Sequence, residues 1–190
     1  TTPEKDMIYY GNMLLNFDNL KYGYETYDVI RLGHYGDSFN ISNECRFDDA
    51  FYNQLNIPFV KSWDAFEVPR DISSEKSLFN ALCGHGNEGK YIFLHEDPSR
   101  GDVIDRKLIK SDLPIVTPGL KKQHVLGEDD GVNFFDYRYI LEHASQVHCI
   151  ESSFSIFIDR INTKADKHLH IYTRYNQAPP TLKNNWNVYE

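Results

Sequence analysis

Strand-like and helix-like patterns alternate along the second half of the chain, and this alternation restricts the fold more than any other feature. Short apolar runs typical of buried strands occur at 91–95, 114–117, 147–150 and 169–173. Between them, apolar residues recur at helical spacing in 133–145 and 153–162. Helices that alternate with strands predict parallel pairing, because two parallel strands need a long crossover connection. We therefore predict an α/β, Rossmann-like fold with a mostly parallel sheet flanked by helices.

The first part of the chain alternates less clearly. Strand-like runs occur at 7–10 and 28–32, and helical spacing occurs at 47–55 and 73–83. The glycine-rich stretch 84–90 precedes a strand instead of following one, so it predicts a turn and not a phosphate-binding loop. We expect a domain boundary within 68–90. Residues 1–70 would then be a remnant or part of a first α/β region, and 71–190 would be the main α/β unit.

The composition favours a folded protein without general affinity for nucleic acids. Of its 190 residues, 41% are hydrophobic and 14% are aromatic, unlike the residues of a disordered chain. A formal net charge of -8 argues against binding a nucleic-acid backbone, which requires clustered lysine and arginine. No apolar run approaches the roughly 18 residues of a transmembrane helix, and the first residues lack signal-peptide features. We expect a cytoplasmic protein whose three cysteines form neither a disulfide framework nor a zinc site.

A polar loop, HEDPSRGD at 95–102, directly follows the first of the strand-like runs in this alternating half. In an open parallel sheet, ligands bind beyond the carboxyl ends of the strands. His95, Glu96 and Asp97 are therefore candidate general bases. Arg100 is a candidate contact for an anionic ligand. An ordinary polar turn with a surface ion pair is the alternative interpretation of this loop.

In the stretch VHCIESSFSIFID, at 147–159, an apolar strand passes into an amphipathic helix through three polar residues. Ser152 is a candidate N-cap, and the free N–H groups of the first helical turn favour an anion such as phosphate. Ser153 offers a second hydroxyl in the same turn. Glu151, at the strand end, is a candidate acceptor for ribose hydroxyls. A plain helix cap without a ligand is the alternative.

Three other patterns indicate chemistry less strongly. Lys121 follows another strand and is a candidate diphosphate contact, with a basic surface loop as an equal alternative. His168 and His170 share one face of a strand at a spacing that can bind zinc, but no third ligand is near in sequence, so structural histidines are favoured. A nucleophilic Ser152 or Ser153 is discounted, because the G-x-S-x-G motif and an assignable histidine partner are missing.

Three stretches of the chain, YIFLHEDPSRG, FDYRYILEHAS and VHCIESSFSIFID, together resemble the C-terminal nucleotide-sugar-binding half of GT-B-fold glycosyltransferases. The resemblance covers about 91–174. It is closest to viral and bacterial glycosyltransferases and more distant to fucosyltransferases and heptosyltransferases. It implies that 71–190 form a nucleotide-binding unit that holds the donor's phosphates at a small-polar turn. In this chain that turn consists of Glu151, Ser152, Ser153 and Phe154.

The resemblance implies a metal-independent glycosyltransferase that moves a sugar from a nucleotide-activated donor to a glycan or another hydroxyl acceptor. The nucleotide-sugar is a substrate, so neither a cofactor nor a metal is expected. A complete GT-B enzyme has two nucleotide-fold domains, so we expect these 190 residues to be a fragment or a reduced relative. The alternative function is a non-catalytic nucleotide-fold module that binds a ligand or assembles with other chains.

Overall fold

The computed structural model describes residues 19–22, 25–28, 47–118, 133–172, 180–183 and 185–190. The chain forms two compact units, Thr1–Phe59 and Val60–Glu190. They divide between Phe59 and Val60, whereas the sequence predicted a boundary within 68–90. The difference has a physical cause: Trp63 donates a hydrogen bond to Asp159, which fastens the segment after Val60 to the second unit.

Only short elements of the first unit are described. Strand β1 (Asn19–Tyr22) pairs antiparallel with β2 (Glu25–Asp28), and helix α1 spans Phe47–Gln54. The helix agrees with the helical spacing at 47–55. The predicted strand at 7–10, and all but the first residue of the one at 28–32, lie outside the described residues.

A five-stranded, all-parallel sheet forms the centre of the second unit. Its strands are β3 (Ile92–His95), β4 (Ile115–Val116), β5 (Gln146–Ile150), β6 (Asp166–His170) and β7 (Asn187–Tyr189). Their spatial order is β4-β3-β5-β6-β7, and each neighbouring pair is parallel. The predicted α/β fold with a parallel sheet is confirmed.

The second unit contains four α-helices among its described residues, of which the last three lie where the apolar spacing predicted helices and the first was not predicted. They are α2 (Lys61–Asp64), α3 (Ile72–Cys83), α4 (Arg138–His143) and α5 (Ser153–Arg160). The predicted helix at 133–145 begins as a 3₁₀ turn, Phe134–Tyr137. The turn follows a capping box in which Asn133 accepts the N–H of Phe135 at 3.0 Å and Asp136 accepts the N–H of Asn133 at 2.7 Å.

The two faces of the sheet are covered by different parts of the chain. Phe93 packs in the main core, to which α3, α4 and α5 all contribute. Its neighbour Leu94 points to the opposite face, because successive strand residues alternate, and there it packs with Ile104 and Ile150. The helices therefore lie on one face, and the connection 96–114 covers part of the other.

This arrangement makes the chain leave β3 and β5 on opposite faces. The connection from β3 leads to β4 on one side, and α5 leads from β5 to β6 on the other side. Right-handed crossovers in opposite directions must pass over opposite faces of the sheet. A crevice therefore forms between the carboxyl ends of β3 and β5, at a topological switch point, where α/β proteins bind ligands.

Two strands differ from the sequence prediction. Strand β6 begins at Asp166, three residues before the predicted run 169–173, because Asp166 and Lys167 continue the ladder opposite Gln146 and Val147 of β5. Strand β7 was not predicted, since its three residues carry no alternating apolar pattern and two of them are exposed. In both cases backbone pairing with a neighbour determines the strand, and local residue preference does not.

Candidate functional site

A cleft of about 690 Å³ opens at the switch point, along the carboxyl edge of the sheet. Its walls are 94–100, 117–118 and 150–153, which are the ends of β3, β4 and β5 and the loops that follow them. Because these strands are parallel, the two predicted polar segments open on the same edge, as expected. The predicted site residues that line the cleft are His95, Glu96, Asp97, Arg100, Glu151, Ser152 and Ser153.

His95 and Ser152 are in contact across the cleft floor. The His95 Nδ1 atom lies 3.2 Å from the Ser152 Oγ atom, although the two residues are 57 positions apart in sequence. The His95 ring also packs against the ring of Phe154, with 4.6 Å between centroids. Burial lowers the pKa of His95, and the nearby charges of Asp97 and Glu96 only partly oppose this effect. The imidazole is therefore neutral at pH 7.

The first turn of α5 is closed by a residue that sequence reasoning missed. Ser155, which is fully buried, accepts the N–H of Ser152 at 3.1 Å and donates to the Ser152 carbonyl oxygen at 2.8 Å. Ser152 is the N-cap, as predicted, and forms a capping box with Ser155. The sequence signal that could have identified it is the three-residue spacing of a capping box between Ser152 and Ser155. Serine stands there in place of the usual glutamate or glutamine. Ser153, the first helical residue, is exposed.

Glu96 is already bound by other groups of the chain. Its carboxylate receives two hydrogen bonds from Arg106, at 2.6 and 2.8 Å, and one from the N–H of Ile104 at 3.0 Å. The hydrogen bonds from Arg106 hold the pKa of Glu96 below its ordinary value. A carboxylate stabilised in its charged form is a weak base, so this arrangement favours a structural role for Glu96 in the β3–β4 connection.

Asp97 shapes the turn that follows β3. It caps the 3₁₀ turn Pro98–Arg100 by accepting from the N–H and the hydroxyl of Ser99, at 3.1 and 2.5 Å. It also pairs with Arg100 at 3.2 Å. The hydrogen bond from Ser99 is the main cause of the lowered pKa of Asp97. The Arg100 side chain is 68% exposed and lies at the cleft.

The remaining predicted residues have different surroundings. Glu151 accepts the backbone N–H of Tyr172 at 2.9 Å, which joins the end of β5 to the chain after β6. Phe154 is 2% exposed and packs in the core with Phe93 and Tyr137, so it supports the cleft floor without lining it. Phe154 is the second residue of α5 and faces the sheet, which explains its burial. Lys121 lies outside the described residues.

Three histidines stack on the sheet face opposite the helices. The rings of His148 and His168 are parallel, with 4.1 Å between centroids, and His148 Nδ1 lies 3.1 Å from His170 Nε2. Burial is the main cause that lowers the pKa of His148 to about 3 and that of His170 to about 4. In the part of the chain that the structure describes, no group of three or more histidine, cysteine or acidic side chains is arranged to hold a metal ion.

Comparison with known proteins identifies no relative. Neither protein-family models, nor curated proteins, nor solved structures give a significant match to this chain. The resemblance to glycosyltransferases therefore remains a prediction from sequence. Among the described residues, none of the helices has the length and apolar character needed to cross a lipid bilayer. The functional argument rests on the cleft.

Proposed function

We propose that the cleft binds the diphosphate of a nucleotide-activated sugar and that the protein transfers the sugar to a hydroxyl acceptor. The observation that carries this proposal is the neutral His95 in contact with Ser152, at the N-terminus of α5 and at the switch point of a parallel sheet. Nucleotides bind α/β proteins at such switch points. The N–H groups and the dipole of the first helical turn favour phosphate oxygens.

Two of the three carboxylates that line the cleft are paired with arginine, which reduces their repulsion of an anionic ligand. Glu96 is neutralised by Arg106, and Asp97 is paired with Arg100. Sugar transfer leaves negative charge on the nucleoside diphosphate, and this charge must be stabilised in the transition state. The N-terminus of α5 and the exposed guanidinium of Arg100 would provide that stabilisation without a metal ion.

A nucleotide-binding module without catalytic activity is the second candidate. It is favoured by the contacts of Glu96 and Asp97, the two carboxylates predicted as general bases, because both are held by other groups of the chain. Under this alternative the cleft binds the same ligands but does not cleave the bond between sugar and phosphate.

The binding proposal is tested by thermal-shift measurements on the full chain with ADP, CDP, GDP and UDP, each compared with its nucleoside. A ligand that binds only the folded state raises the melting temperature. We expect at least one diphosphate to do so while its nucleoside does not. Arg100→Ala should weaken the effect, and Lys107→Ala, an exposed lysine outside the cleft, should not. If no diphosphate raises the melting temperature, the proposal is wrong.

Incubation with nucleotide-sugars separates the two candidates. A transferase releases nucleoside diphosphate from its donor, slowly to water and faster when a suitable acceptor is added. If the wild-type protein releases nucleoside diphosphate and the His95→Ala variant does not, the result supports transfer. Binding of the diphosphate without release from any nucleotide-sugar, with or without acceptor mixtures, supports the non-catalytic module.

A further inference from the structure

The cap of α5 bears on the direction of the hydrogen bond between Ser152 and His95. In the capping box, the Ser152 side chain faces the backbone N–H of Ser155, the third helical residue. A hydroxyl oxygen that accepts from a helix N–H still has its own proton to donate. The His95 Nδ1 atom lies 3.2 Å from this oxygen. The Ser152 hydroxyl can therefore donate its proton to Nδ1.

The field of the helix favours the same direction. The N-terminus of α5 carries partial positive charge, which attracts the lone pair of Nδ1 and repels an N–H at that position. Burial also keeps His95 neutral, because it lowers the pKa of the imidazole. A neutral imidazole has a single ring proton. When Nδ1 accepts a hydrogen bond, that proton resides on Nε2.

The Nε2 atom is the part of the ring that remains accessible from the cleft. His95 lines the cleft, and within the described part of the chain its Nε2 has no hydrogen-bond partner and is not one of the fully buried polar atoms that lack a partner. We infer that Ser152 holds His95 in the Nε2–H tautomer, so that His95 presents a neutral hydrogen-bond donor to the ligand. His95 thus does not act as the general base that the sequence predicted.

The ligand of this donor follows from the proposed function, on which this step rests. An N–H beside a helix N-terminus matches a phosphate oxygen, and its hydrogen bond strengthens as negative charge develops on the departing diphosphate. The proton stays on Nε2 throughout. Ser152 is a positioning residue that acts through the tautomer of His95, and His95 is the residue that contacts the ligand.

The tautomer is measured directly, without any ligand, by NMR of the full chain labelled with ¹⁵N-histidine. Two-bond ¹H–¹⁵N correlations at pH 7.5 distinguish a protonated ring nitrogen from an unprotonated one, and His95→Gln identifies the His95 signals. We expect a protonated Nε2 and an unprotonated Nδ1. A protonated Nδ1, or an even mixture of tautomers, would overturn the inference.

Variants of the cap test the role of Ser152. Ser152→Gly removes the hydroxyl but keeps a good N-cap residue, so the helix should lose little stability. We expect the variant to show a mixture of His95 tautomers, whereas Ser153→Ala and Ser152→Thr retain the Nε2–H form. An unchanged tautomer in Ser152→Gly would mean that Ser152 does not position His95.

Titration with inorganic pyrophosphate tests the ligand contact. We expect the His95 Nε2 resonance to shift and saturate in wild type. Binding that leaves this resonance unchanged would overturn the donor contact. Absence of any pyrophosphate binding would count against the proposed phosphate site, whereas the tautomer measured without ligand is independent of that result.

Discussion

Ser153 separates the ligand hypothesis from a plain helix cap at the scale of one residue. It is exposed, lines the cleft and is the first residue of α5. Ser153→Glu places a carboxylate where the helix dipole stabilises it by about 0.3–1 kcal/mol. We expect the melting temperature to stay constant or rise. We expect nucleoside diphosphate affinity to fall by at least about tenfold, which is about 1.4 kcal/mol, because like charges repel.

Both quantities should be measured on one sample, by differential scanning fluorimetry and by isothermal titration calorimetry. Ser153→Gln is the control, since it has the same size as glutamate but no charge. It should bind nearly as well as wild type. If Ser153→Glu binds diphosphate as tightly as Ser153→Gln, then the phosphate does not lie at this helix terminus.

The positions of the site residues were predictable, but their partners were not. His95 and Ser152 follow apolar strands, and strand ends at one edge of a parallel sheet are recognisable from the sequence pattern. Their mutual contact spans 57 positions and depends on the strand order, which no local pattern contains. Arg106 forms the ion pair with Glu96. It lies in a connection whose apolar residues show no helical or strand spacing, so nothing in the sequence indicated that pair.

At the scale of elements, Asp159 joins three parts of the second unit. This aspartate of α5 is 1% exposed and accepts hydrogen bonds from Trp63 Nε1 at 2.6 Å, Trp186 Nε1 at 2.9 Å and the N–H of Lys183 at 2.8 Å. Asp159→Ala would leave these donors without their acceptor. We expect the free energy of unfolding to fall by about 3 kcal/mol or more, since each such loss costs about 1–3 kcal/mol.

Urea denaturation measures this loss, and Asp64→Ala provides the control. Asp64 pairs with Lys183 at 3.2 Å, but both side chains are about half exposed, so the pair contributes less than about 1 kcal/mol. Similar losses in the two variants would show that Asp159 does not hold these elements together.

The histidine stack on β5 and β6 makes stability depend on pH. His148 has a pKa of about 3 in the folded protein, where burial is the main cause and the charges of His168, His170 and Arg106 add to it. The unfolded chain has an ordinary histidine pKa near 6.5. Below that pH the unfolded state binds a proton that the folded state rejects, so stability falls as pH decreases from about 6.5 towards about 3. His148 alone accounts for roughly 1–2 kcal/mol between pH 6.5 and 5.

Urea denaturation at pH 7.5, 6.5, 5.5 and 5 tests this dependence. His148→Phe retains a flat ring of similar size without a titrating group and should flatten the slope between pH 6.5 and 5. His85→Asn, a change at an exposed histidine, should leave the slope unchanged. An equally steep slope in His148→Phe would show that the stack does not control stability in this range.

The elements themselves were predicted to different degrees. Helices α3 and α5 follow the apolar spacing closely, because each buries one stripe against the main core. Strand β6 was displaced and β7 was missed, since their residues His168, Asp166 and Asn187 are polar and enter the sheet by backbone pairing with neighbours. The stacked histidines could not be predicted for the same reason, because their stacking arises only when β5 and β6 pair in register.

At the scale of the whole molecule, the strand order creates the site. Alternating strands and helices predicted a parallel sheet, and right-handed connections then restricted its topology. The pattern did not contain the order β4-β3-β5-β6-β7, in which the chain leaves β3 and β5 on opposite faces. That order opens the cleft between their carboxyl ends and brings two distant polar segments together.

The central claim is that this cleft binds a nucleoside diphosphate through the N-terminus of α5. The most direct measurement is an amide ¹H–¹⁵N chemical-shift titration of the full chain with ADP, CDP, GDP and UDP. The account predicts that, for at least one of them, amides at 95–100 and 151–155 shift together and saturate at one affinity, and that Ser153→Glu abolishes these shifts. Saturable shifts confined to other segments, or no saturable shift with any of the four, would contradict it.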